Sequence, residues 1–531
     1  MTQSLTAEAS AVKIRKEGIP MKRTLALVLA ALMVLTAVSA MADGHVSFTI
    51  NACHSNSEMD YTHDGLYDLI SQKFDFDFEV YPVSKDAQSE KLRIWINGGT
   101  MPTVVTWRNF DYQEYVTYAE QGLIAALPDG WEEKYPNLYW MVQVSGIYDQ
   151  MKLDGVSYGI PHATFARFGG MGSVVPTHLS LYYRKDWAAQ LGMEIGTTMT
   201  LAQLEEYIRG CIDHDLAGNG NTLGLSDDPD NMANFWMLYA GVDHDAFSKG
   251  EDGLYRWNFA DPGVLSAIQT ANEWYQKGLL DRDFYLNQSA DAVNNFTSGI
   301  AACMYINCAI SSYAGYAATF EESTGLDATE TLGIVTMALD DGTPVTIQTN
   351  NWWGVTEFSP DIDDETLDRI LSMMDWICTE EGQLTVLVGV PGETWEYDAD
   401  GNIVMLSEKD ENGKYPQTVD LYNSYNVFRT LGILADDYSF INPANDPDIV
   451  AQVKEMYATR ANAKIIPMDM DYEFFSSDNK ANYSLDLSDE ITRLIISTDA
   501  STIAADWESY IAENSAIWQP VIDDLNAAFC K

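Results

Sequence analysis

The chain has 531 residues, of which 46% are apolar and 12% aromatic, with 14 tryptophans; it is long enough for more than one core and too apolar for global disorder. Seventy-nine aspartates and glutamates against 30 lysines and arginines give a formal net charge of −49. Such a charge repels nucleic-acid backbones and anionic lipid surfaces and disfavours an acidic ligand.

The first readable element is an export signal. Met21-Lys22-Arg23 opens a basic segment, Leu25 to Val38 is an apolar run, and Ala40-Met41-Ala42 places small residues where a signal peptidase reads them. Residues 1–20 precede a better start methionine. The apolar run is short for a membrane span, and the residues around Cys53 form no lipobox. A periplasmic or extracellular protein without a lipid anchor is expected.

From Val46 the periodicity predicts a strand over 46–52, a helix over 59–73, a strand over 74–80, a helix over 87–97 and a strand over 103–107. This order implies a parallel sheet with crossover helices. Ligands of such sheets bind beyond the carboxyl ends of the strands, which sets Cys53-His54-Ser55-Asn56 and Trp107-Arg108-Asn109 beside one crevice. Further on, Thr200-Leu-Ala-Gln203 is a capping-box pattern, followed by Leu204, Ile208 and Cys211 on one helix face. Ser359-Pro360 opens a second amphipathic helix carrying Leu367, Ile370, Met374 and Cys378. The six cysteines lack the spacing of a zinc site or a small disulfide scaffold, so Cys211 and Cys378 are expected as core thiols.

Six segments, in order, resemble the extracellular solute-binding protein family 1, which includes maltose-binding protein. They are Met101 to Trp107, Tyr118 to Ile124, Lys152 to Pro161, Leu181 to Trp187, Cys378 to Gln383 and Val388 to Trp395. Thr103 stands where the family usually has Asp, and the stretch 400–490 matches poorly. The resemblance implies a two-lobed α/β fold of the periplasmic-binding-protein type II class that closes on ligand about a hinge. One lobe would comprise 43–165 plus 309–355 and the other 178–305 plus 356–531, with crossings near 163–180, 305–312 and 355, after an extension and signal over 1–42. It also implies a monomer that delivers a carbohydrate to the permease subunits of an ABC importer.

A sugar site combines flat aromatic platforms with hydrogen-bonding groups. The candidates are Trp107 at the end of its strand, Arg108 and Asp111 in the following loop, and His54 and Asn56 after the first strand. His162 and Arg167 flank the first crossing, Trp236 lies within Asn234-Phe235-Trp236-Met237, and Trp352 and Trp353 must point to opposite sides of an extended segment. Trp395 reads as structural. Asp213, Asp215, Asn219 and Asn221 resemble a degraded form of the calcium loop of some family members. No phosphate loop or His-Glu-x-x-His helix is present, so the chain reads as a binding protein and not an enzyme. The alternatives are a secreted glycoside hydrolase, whose paired carboxylates need no linear motif, and a binding protein for a peptide or another polar solute.

Overall fold

Strand β1 (Val46–Ile50) buries Val46, Phe48 and Ile50 and leaves Ser47 exposed, the period of two that a half-covered strand requires. In this computed structural model residues 44–530 are described, except 53, 54, 56, 85, 86, 109, 166–173, 177, 243–245, 411, 412 and 486. The expected export signal lies outside them, and the fold below is that of the unit Val46–Lys531. After β1 comes α1 (Gly65–Phe74), whose first turn is capped by the Asp64 carboxylate accepting from the Tyr67 N–H. Next are β2 (Phe76–Val80), β3 (Val104–Trp107), α2 (Tyr112–Glu120) and β4 (Gly159–Ala163). β1 runs parallel to both β2 and β3, as the βαβ order predicts.

The middle of the chain supplies β5 (Val174–Pro176), β6 (Leu179–Arg184), β7 (Thr198–Thr200), α3 (Leu201–Asp213), β8 (Leu223–Leu225) and α4 (Pro229–Ala240). The capping box expected at Thr200 and Gln203 is formed. There follow β9 (Phe247–Lys249), β10 (Tyr255–Trp257), β11 (Ala301–Asn307), α5 (Ile310–Thr324), β12 (Leu332–Ala338), β13 (Val345–Asn350) and β14 (Trp352–Phe358). The last third holds α6 (Asp364–Ile377), β15 (Trp395–Tyr397), β16 (Ile403–Met405), α7 (Tyr425–Leu431), α8 (Pro447–Arg460) and β17 (Lys464–Ile466). Among the described residues no helix is long and apolar enough to cross a membrane.

Two five-stranded sheets organise these elements, ordered β2-β1-β3-β14-β4 and β7-β12-β6-β11-β8, with a three-stranded sheet β17-β13-β5 built from connecting segments. On the first sheet Phe48 and Ile50 pack with Leu367, Ile370 and Met374 of α6 and Phe428 of α7. On the second, Tyr182 and Met304 pack with Tyr313 and Phe320 of α5 and Val453 of α8. The division of the chain therefore differs from the expectation. Residues 310–338, expected with the first lobe, join the second sheet, and 356–431, expected with the second, join the first.

The chain passes between the sheets after β4, between β12 and β14, and after α7, whereas 305–312 stays on the second. The cause is β14, which inserts antiparallel between β3 and β4 and so forces the chain back before residue 352. Helical periodicity announces that α6 has an apolar face; it carries no label for the sheet that face will cover.

Candidate functional site

Between α5 and α8 on one side and α7 with the 408–420 segment on the other lies a cleft of about 1980 Å³. Its α5 wall is made by Ser311, Ala314, Gly315 and Ala318, and its α7 wall by Tyr425, Asn426 and Arg429. Tyr425 and Arg429 stand four apart, hence on one helix face, and the guanidinium lies 6.0 Å from the ring centroid. Two more rings in the cleft carry a cation, Lys409 over Tyr415 at 4.7 Å and Lys454 over Phe440 at 5.7 Å. The fourth cation, Lys414, spans from the 408–420 segment to α5, where Nζ donates to both oxygens of Glu321 at 2.8 and 2.6 Å. Gln417 Nε2 donates to the Ala444 carbonyl at 2.7 Å and ties the same segment to the third crossing. Half-buried rings alternating with amide, hydroxyl and charged groups suit a ligand that has both apolar faces and many hydroxyls.

None of the described residues singled out from the sequence lines this cleft. Trp107 is 3% exposed; it stacks on Tyr118 at 6.4 Å, and its Nε1 donates to Glu357 Oε2 at 2.8 Å. A central strand buried on both faces leaves its indole no open side, so the expected platform is packing. Trp236 is fully buried against Phe235, Tyr239 and Trp274, again core where a ligand contact was expected. His162 is also buried, with Nε2 2.7 Å from Thr356 Oγ1 and the Trp353 ring edge-on at 5.0 Å.

Trp352 and Trp353 do diverge as extended neighbours must, Trp352 against Phe110 and Trp353 against His162, and both are half-buried. Asp111 is the N-cap of α2 and accepts from the Glu114 N–H, and Arg108 is partly exposed beside it. His54, Asn56 and Arg167 lie outside the described residues. Trp395, read as structural, donates Nε1 to the Gly389 carbonyl in its Gly-rich turn. The α7 side of the cleft comes from a stretch in which the family motifs fade. Only the helical spacing of Tyr425 and Arg429 was there to be read in advance.

The candidate calcium residues do not make a cation site. Counting from Asp213 as the first position of a calcium loop, the fifth is Ala217, without an oxygen side chain, and the twelfth, normally a bidentate Glu, is Gly224. A Cβ on Gly224 would come within 1.9 Å of the Leu279 carbonyl oxygen, so no ligand side chain fits there. Both oxygens of Asp215 already accept hydrogen bonds, from the Gly220 N–H and the Thr222 hydroxyl. The Asn219 side-chain oxygen accepts from the Asn221 N–H. These donors hold the Asp215 carboxyl below its ordinary range and close the turn that a cation would otherwise gather. Thermal unfolding is accordingly expected to coincide in excess calcium and in excess chelator; a midpoint raised by calcium would show a site the donor set denies.

With this geometry in place, comparison with known proteins is informative. The model of the bacterial extracellular solute-binding proteins matches residues 67–388, more than half of the chain. No curated protein sequence matches. Among solved structures, the alginate-binding protein AlgQ2 without calcium ion superposes with a TM-score of 0.67 at 15% identity, over 93% of this chain and 100% of that one. The Streptococcus pneumoniae ABC-transporter substrate-binding protein FusA in complex with kestose gives 0.63 at 16% identity, over 91% and 100%. An extracellular solute-binding protein from Bifidobacterium longum subsp. infantis gives 0.62 at 13% identity, over 92% and 100%. At these identities the likeness is one of fold, the two-lobed α/β fold of solute-binding proteins.

Proposed function

This chain belongs to the bacterial extracellular solute-binding protein family, and we propose that it captures an oligosaccharide in the cleft between its two sheets and presents it to the permease of an ABC importer. The observation that carries this reading is the cleft, whose Tyr415, Tyr425 and Phe440 rings stand among Asn426, Gln417 and charged side chains. Two of the fold neighbours point the same way, one described as alginate-binding and one seen with kestose. Tyr425 and Asn426 are the first ligand contacts to test. The three crossings supply a hinge, and ligand drives closure to the extent that it binds the closed form better than the open one. Residues 21–42 direct export, and the protein acts as a monomer that releases its ligand unchanged.

The test is thermal unfolding of the protein across a panel of mono- and oligosaccharides, with product analysis of every hit. A sugar at about one hundred times its Kd is expected to stabilise the fold by about 2.7 kcal/mol and to be recovered intact. Cleaved sugar would instead establish a glycoside hydrolase, and a response confined to peptides would move the ligand class.

A further inference from the structure

Taking the cleft as a carbohydrate site, we propose that its ligand is an extended, uncharged oligosaccharide lying along α5, with Gly315 the point of closest approach. Gly315 sits inside a helix of 15 residues, where glycine weakens the helix relative to alanine. Its backbone does not require glycine, because it is not among the residues with positive φ. Its packing does not require glycine either, since a Cβ there would meet no atom within 4 Å. The space left by the missing side chain opens into the cleft. Ser311, Ala314 and Ala318 fall on the same face at helical spacing, so the strip extends about 10 Å without a long side chain. The cleft of about 1980 Å³ also exceeds the roughly 300–1,000 Å³ of sites for small ligands. A chain of several sugar rings fills that space; a single ring does not.

The charge of the lining decides the ligand's charge. Among the described residues, seven carboxylates line the cleft (Glu321, Glu322, Asp327, Glu408, Asp410, Asp420 and Asp446) against four cations. The cations are already engaged, Lys414 by Glu321 and the other three by rings. A uronate chain would meet this excess on a protein whose formal net charge is −49.

The experiment is calorimetric titration of the full chain with mono- to hexasaccharide ladders of malto-, fructo- and galacturonate oligomers, repeated with Gly315→Ala and Gly315→Leu. Affinity is expected to rise with length in one of the neutral ladders and to be at least about tenfold weaker for the uronates. Gly315→Ala should melt at or above the wild-type temperature yet bind the longest neutral ligand about tenfold more weakly, and Gly315→Leu should abolish that binding. A purely structural glycine would not separate stability from affinity in this way. Tighter uronate binding, a monosaccharide bound as well as a hexamer, or wild-type affinity in both variants overturns this inference and leaves the carbohydrate reading standing. Wild-type protein that binds no ladder overturns both.

Discussion

Replacing Trp236 by alanine is expected to cost about 3–5 kcal/mol of stability while leaving the ligand affinity of the folded protein unchanged. The side chain is fully buried, with Phe235, Trp274 and Tyr239 edge-on at 5.2, 5.4 and 6.2 Å. Removing it takes away a large apolar surface and leaves a hole that rigid aromatic neighbours fill poorly. Denaturant unfolding gives the first quantity, and titration well below the melting temperature gives the second. Unchanged stability with lost binding would return Trp236 to the ligand site, where the sequence pattern alone had set it.

Glu357→Gln is expected to raise stability at alkaline pH, by on the order of 5 kcal/mol above pH 8. The Glu357 carboxyl is 1% exposed, and burial pushes its pKa up to about 8 against the opposing hydrogen bond from Trp107. Unfolded, the same group ionises near 4.5, so between these values the native state holds a proton the unfolded state has lost. Its contribution is fully present below pH 4.5 and is lost as pH rises towards 8.

The buried His162 runs the other way. Desolvation pushes it down to about 3, while the unfolded imidazole takes up its proton near 6.5. Its contribution is present above pH 6.5 and lost as pH falls towards 3. Glutamine keeps an acceptor for the Trp107 indole but has no proton to hold. The variant should therefore match wild type near pH 4, gain on it steadily up to pH 8, and retain the acid-side decline set by His162. Denaturant midpoints measured across pH check this; parallel curves for the two proteins would show Glu357 to be ionised in the fold.

Local pattern read directly from the residues was dependable over short range. The βαβαβ start, the Thr200 cap and the amphipathic face of α6 all depend on residues within a few positions of one another, and each formed as the spacing required. The family was legible too, because its motifs are short and lie mostly within the matched region. An indole at a strand end serves equally as a ligand platform or as core, and this left the role of Trp107 open in the sequence. Which it becomes depends on what lies over it, and for Trp107 that is Tyr118 and Glu357.

By itself, then, the sequence determined the α/β class, the capped helices and the kinship with solute-binding proteins, all properties of near neighbours along the chain. The tertiary structure alone decided which sheet α5 and α6 cover and where the cleft lies, because Gly315, Lys414 and Tyr425 meet only after β14 returns the chain to the first sheet and the third crossing brings α8 back to the second. Apolar periodicity records that a face is buried, and only long-range packing selects the partner that buries it.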